Sequence, residues 1–156
     1  MRFDLSDDAN KGKWFDYFDS EVKEDGSKVY LDPVPGMGRV CFRKPDRAAM
    51  EKIGAETKTI RERIVHNKDR RAMEIIQQEV QTPEQKRKEM EMFWDHAIKE
   101  WDENIQDKNG TPIPCTTENK LELLDKSPRF TRFAVRCLEI INEVEAGKAE
   151  DEIKNS

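Results

Sequence analysis

Any chemistry in this chain would have to come from a few short stretches. Asp107, Asn109 and Gly110 group oxygen donors around a glycine, the ingredients of a calcium loop. With Gly110 at the sixth loop position, the first and twelfth positions fall on Ile105 and Thr116. Neither supplies the carboxylate a hard cation needs there, so the segment reads as a turn. Cys41, Cys115 and Cys137 are widely spaced, His66 and His96 are isolated, and no CxxC or HxxxH pair occurs. Zinc needs such ligands at fixed spacing, so no metal site is expected. Gly36-Met37-Gly38 is followed by neither a third glycine nor a Lys-Ser/Thr pair, which leaves a turn rather than a phosphate loop. Only the two histidines could act as a conventional base, and neither has a companion nucleophile motif. The abundant carboxylates read as solvated helix faces. The expectation is a protein without catalytic residues or cofactor.

One charged run stands apart. Lys58, Arg61, Arg63, Lys68, Arg70 and Arg71 face only Glu62 and Asp69 in the same stretch. Such a basic patch could meet phosphates or an acidic partner. A solvated helix face paired with acidic residues elsewhere is the favoured reading, since no aromatic interleaving or recognition-helix pattern accompanies it. The whole-chain net charge of -5 does not favour non-specific binding to nucleic acid or to an anionic membrane.

The elements that must position these residues are well punctuated. Lys13-Trp14-Phe15-Asp16-Tyr17-Phe18, Lys28-Val29-Tyr30-Leu31 and Arg39-Val40-Cys41-Phe42-Arg43 are strand-like, and Asp25-Gly26 is a hairpin turn. They predict a small antiparallel element. Asp46 can cap a helix to about Ile53, with Gly54 as its stop. From Lys58 to Gln81, the spacing of Ile60, Ile64, Ala72, Ile75, Ile76 and Val80 predicts one or two helices with narrow apolar stripes, broken near His66-Asn67-Lys68-Asp69. Thr82-Pro83-Glu84-Gln85 has the pattern of a capping box. The helix it opens carries Met90, Phe93, Trp94, Ala97, Ile98, Trp101 and Ile105 on one face. Pro112 and Pro114 hold the following connection extended, and Thr116 or Thr117 caps a short helix with Leu121, Leu123 and Leu124. Ser127-Pro128 starts a last amphipathic helix containing Phe130, Phe133, Ala134, Cys137, Leu138, Ile141 and Val144.

Together these predict a mainly α protein with a small N-terminal antiparallel β element, built from amphipathic helices around a thin core. The expected parts are a β element over 1–45, a helical domain over 46–145 and an acidic flexible tail over 146–156. Among 156 residues, 35% are hydrophobic and 39% charged, so the core must be thin or completed by a partner. No run is long and apolar enough for a transmembrane helix, and MRFDLSDDANKGK lacks the apolar stretch of a secretory signal. Three unpaired, widely spaced cysteines suit a reducing cytoplasm. Trp94 and Trp101, with Phe130 and Phe133, are either framework residues or partner-binding anchors.

A family resemblance lies in the same residues. The run Trp94 to Leu138, with its W-x6-W spacing, NGTPIPCTTENK connection and SPRFTRFAVRCLE helix, resembles tail assembly chaperones of long-tailed bacteriophages. The MRFDL opening, GKWFDYF and RVCFRKP are similar to theirs as well. The resemblance implies framework positions at Trp94, Trp101, Gly110, Pro114, Thr116, Asn119, Lys120, Leu124, Pro128, Phe130 and Phe133. It also implies a small, cytoplasmic protein of the bacterial host cell. Such a protein binds the tape measure protein, guides polymerisation of tail tube subunits around it without catalysis, and does not enter the virion. Self-association stays open. Two rivals remain: a structural tail or connector protein of the virion, and a small nucleic-acid-binding regulator using Lys58 to Arg71.

Overall fold

The computed structural model describes the backbone of residues 11–67 and 72–154, and their side chains except at 61, 63–67, 72, 74 and 148–154. Four helices and seven strands in three small sheets occur among these residues, an α+β mix rather than the mainly α architecture expected. The chain forms two compact units: residues 1–46 with 94–156, and residues 47–93.

The first unit is built on a three-stranded antiparallel sheet, order β1 (Lys13–Asp16), β4 (Arg39–Phe42), β7 (Ile98–Trp101). Trp14 pairs with Cys41, and Val40 pairs with Trp101 across the other side of β4. A second ribbon joins β2 (Ser20–Val22) to β3 (Lys28–Tyr30). Its turn is the one Asp25-Gly26 predicts: Gly26 takes φ 85, and the Asp25 carboxylate accepts from the Ser27 amide at 2.9 Å. The incoming strand is Ser20–Val22, however, because Lys13–Asp16 is taken up by β4.

Three features correct the helical expectation. Lys58 to Gln81 is not helical. It forms an antiparallel ribbon of β5 (Thr59–Asn67) and β6 (Ala72–Val80), which places His66 in a strand. The β-branched residues Thr59, Ile60, Ile64, Val65, Ile75, Ile76 and Val80 fit a pleated surface better than a helix, where branching at Cβ costs rotamer freedom. The Trp94-bearing helix, α2 (Pro83–Ala97), ends eight residues before Ile105, and Trp101 lies on β7. There, backbone pairing with β4 outweighs the helical spacing of the side chains. The first helix, α1 (Arg47–Thr57), runs through Gly54 and closes with the Thr57 hydroxyl donating to the Ile53 carbonyl at 2.6 Å.

The remaining helices, α3 (Thr117–Lys126) and α4 (Pro128–Lys154), start where the caps indicate. Thr116 Oγ1 accepts from the Asn119 amide at 3.2 Å and Ser127 Oγ from the Phe130 amide at 3.2 Å. Helix α4 lays Phe130, Phe133, Ala134 and Cys137 into the core of the first unit, with Tyr17, Phe18, Val40, Phe42, Ile98, Trp101 and Ile105. Each such large side chain contributes about 1.5–3 kcal/mol through burial. Gly38 admits the β4 entry turn: its φ is 137, and a Cβ there would lie 2.6 Å from Ile105 Cδ1.

In the second unit the ribbon base is held by polar side chains. The Thr82–Gln85 capping box is reciprocal, with the Thr82 amide donating to Gln85 Oε1 at 2.9 Å and the Gln85 amide to Thr82 Oγ1 at 3.1 Å. Gln85 Nε2 then reaches Thr59 Oγ1 at 3.0 Å and Gln81 Nε2 reaches the Thr57 carbonyl at 3.3 Å.

Candidate partner-binding site

Trp94, Trp101, Phe130 and Phe133 belong to a single packed framework. Phe133 is 1% exposed and sits amid the rings of Tyr17, Phe18, Phe42 and Phe130 at centroid distances of 4.8, 5.0, 5.7 and 6.1 Å. Trp101 meets Phe130 edge-on at 6.2 Å, and its indole Nε1 donates to the Ile113 carbonyl at 2.6 Å. Trp94 is half-buried against the same core. These rings are spent on internal packing.

The NGTPIPCTTENK connection is clamped along its length. Asp107 Oδ1 accepts from the amides of Asn109 at 2.8 Å and Thr111 at 3.1 Å, and Gly110 takes φ 79 to close the turn. The Ile113 amide donates to the Ile105 carbonyl at 2.9 Å, and Asn119 Nδ2 donates to the Pro114 carbonyl at 2.8 Å. An open groove of about 450 Å³ lies beside it, with Pro112, Ile113, Pro114 and Leu123 as apolar wall and Asp107, Glu122 and Lys126 among its polar lining. Lys126 is engaged by Glu122 at 2.7 Å.

Beside this connection is a polar node centred on Lys120, which the resemblance names as a framework position but whose burial and partners the residues alone do not indicate. Lys120, 8% exposed, donates through Nζ to the Asp95 carbonyl at 3.0 Å and to Asp95 Oδ1 at 3.2 Å. Thr117 Oγ1 donates to the same carboxylate at 2.7 Å. Next to Asp95, His96 has a buried Nε2 without a hydrogen-bond partner, and Arg43 Nε donates to the His96 carbonyl at 2.7 Å. Burial first, then the Arg43 charge, lowers the His96 pKa. A lysine three residues inside a helix gives no sequence signal of burial, because its partner lies in another helix. Burial likewise raises the thiol pKa of Cys41, Cys115 and Cys137, which keeps all three protonated at neutral pH.

A third cluster joins α4 to the N-terminal strands. Arg129 Nη2 donates to Asp19 Oδ2 at 2.8 Å and its guanidinium covers the Tyr17 ring at 5.0 Å. The Arg129 hydrogen bond lowers the Asp19 pKa, while burial and the Asp19 hydrogen bond push Tyr17 up to about 12. Both groups act as structural ties.

The surface best suited to a partner is the β5–β6 ribbon. Residues paired across a ribbon share a face, so Ile60, Met73 and Ile75 lie on one side with Glu62, Gln77 and Glu79. Those three apolar side chains are 64, 75 and 68% exposed, and Ile76 on the opposite face is 45% exposed. Of the basic patch, Arg61 and Arg63 are strand positions opposite Gln78 and Ile76. Lys68, Arg70 and Arg71 lie outside the described residues. The run of β-branched residues was the signal for this ribbon, and the charges between them masked it.

Among the described residues, no helix is long and apolar enough to cross a membrane. A family model described as YdaY prophage protein matches residues 50–155, more than half of the chain. Comparison with curated proteins and with solved structures returns no match.

Proposed function

The chain belongs to the YdaY prophage protein family, and we propose that within this phage setting it acts as a tail assembly chaperone. In this reading it binds the tape measure protein in the host cytoplasm and assists tail tube polymerisation without catalysis. The observation that carries the reading is the exposed aliphatic row Ile60, Met73 and Ile75 on a ribbon held at its base by Gln81 and Gln85. A holdase for a long, apolar helical partner needs apolar surface presented away from its own core. The aromatic framework supplies the complement: a body whose rings are committed to internal packing, so that the presented surface lies elsewhere. Of the residues that carry the likeness to tail assembly chaperones, Trp94, Trp101, Leu124, Phe130, Phe133 and Leu138 pack in that framework. Gly110, Pro114, Thr116 and Asn119 belong to the clamped connection. The MRFDL opening lies outside the described residues.

Co-expression with the tape measure protein of the same prophage tests the proposal. Affinity capture of the chain should retain the tape measure protein and keep it in the soluble fraction. Ile60→Glu with Ile75→Glu should lose that capture, both positions being exposed enough to accept the charge without unfolding. A tape measure protein that is soluble alone and not retained would sink the idea.

A further inference from the structure

The exposed row on the β5–β6 ribbon is set among carboxylates. Ile60, Met73 and Ile75 share their face with Glu62, Gln77 and Glu79. Glu62 is exposed, and Glu79 is 69% exposed with Lys58 approaching it only to 3.9 Å. The positions of Arg61 and Arg63 alternate onto the opposite face. Apolar side chains bordered by carboxylates suit a partner whose own apolar stripe is bordered by cations. We infer that this face takes a cationic amphipathic helix. Its aliphatic side chains lie on Ile60, Met73 and Ile75, and its Lys or Arg residues meet Glu62 and Glu79. The inference rests on the chaperone reading of the same face and adds the chemistry of what that face holds.

The ribbon's dimensions set the partner's shape. Two strands at about 4.8 Å spacing make a face about 10 Å wide, the diameter of one helix. Same-face positions recur every second residue, in steps of about 6.8 Å. The pair Ile60–Glu79 takes the first step, Glu62–Gln77 the second, Ile75 the third and Met73 the fourth. From first to fourth is about 20 Å, the length of a helix of about fourteen residues. Such a helix meets the row with side chains at i, i+3, i+4 and i+7. The charges are unevenly placed: both glutamates lie beside Ile60 on the first two steps, whereas Ile75 and Met73 take the last two. The partner's cations therefore border one half of its apolar stripe, the half lying over the ribbon base. The same carboxylates disfavour an anionic membrane as the occupant.

Fluorescence anisotropy of the full chain with labelled synthetic helices of about fourteen residues provides the test. The peptides share one leucine stripe and carry either Lys or Glu beside one half of it. The Lys peptide should bind about tenfold more tightly than the Glu peptide at low ionic strength, with the gap narrowing as salt rises. Glu62→Lys with Glu79→Lys, both at exposed positions, should reverse that order with an unchanged circular dichroism spectrum. Ile60→Gln with Ile75→Gln should weaken both peptides, and phosphatidylserine vesicles should not be bound. Equal affinity for the two peptides, binding of neither, or a Lys preference that survives the glutamate reversal would overturn the inference. So would binding to the vesicles in place of the Lys peptide. Tape measure protein retained equally by the wild-type chain and the double-lysine variant would sink the charge assignment and leave the chaperone role intact. A wild-type chain that binds the Lys peptide but does not retain the tape measure protein would do the reverse.

Discussion

The indole of Trp101 and the carbonyl of Ile113 are joined by a 2.6 Å hydrogen bond that ties β7 to the proline-flanked connection twelve residues later. With the Ile113 amide held by Ile105, both polar groups of that peptide position are satisfied inside the protein. Trp101 is therefore a packing residue and a clamp at once. Trp101→Phe keeps most of the ring contact with Phe130 and leaves the carbonyl without this donor. The expected loss is about 1–3 kcal/mol of unfolding free energy, read from urea denaturation. A change within error would mean that water replaces the indole at no cost.

Phe133 is the hub of the aromatic cluster, and its surroundings cannot all collapse toward the space it leaves. Phe133→Ala should cost about 3–5 kcal/mol, and Phe133→Leu clearly less. Thermal unfolding of the two variants side by side gives the order, and an equal loss would contradict this packing.

Lys120 and the surface pair Arg47–Glu51 offer a contrast in burial. Lys120→Met strips the Asp95 carboxylate and carbonyl of a buried ammonium. The cost should be about 1–3 kcal/mol, held below that of a fully buried pair because the Asp95 side chain is 39% exposed. Glu51→Ala breaks a pair whose side chains are 93 and 67% exposed and should stay within about 0.5 kcal/mol. Chemical denaturation of both variants tests the difference.

His96 makes stability fall on mild acidification. Its folded pKa lies below the ordinary value of 6.5, so the unfolded chain takes up the proton first as pH drops. The contribution is complete above 6.5 and is lost as pH falls toward the folded pKa. Protonation would place a cation beside Arg43 and Lys120, with Asp46 and Asp95 giving partial compensation. His96→Gln should flatten the slope of the urea midpoint in that window. The Asp19–Arg129 tie acts at lower pH: the depressed Asp19 pKa adds stability above the ordinary carboxylate value that is lost below it. Both partners are substantially exposed, so that contribution is small.

The chain's own chemistry determined what is local. The capping box at Thr82 and Gln85, the caps at Thr116 and Ser127, the Asp25-Gly26 turn and the positive φ of Gly110 each arise within a few residues. The apolar face of α4 was legible because seven residues repeat at helical spacing, and six of them, from Phe130 to Ile141, pack in one core while Val144 is exposed. Only the tertiary structure decided the rest. Trp101 continues the helical period of Trp94, yet β4 offers its backbone a strand partner some sixty residues away in sequence, and that pairing ends the helix at Ala97. Between Lys58 and Gln81 the same aliphatic residues fit a narrow helical stripe or a ribbon. The ribbon wins through cross-strand pairs that a helix cannot make, from Thr59 with Val80 to Asn67 with Ala72. Short-range hydrogen bonds are written in neighbouring residues, whereas strand pairing is settled only when distant segments meet.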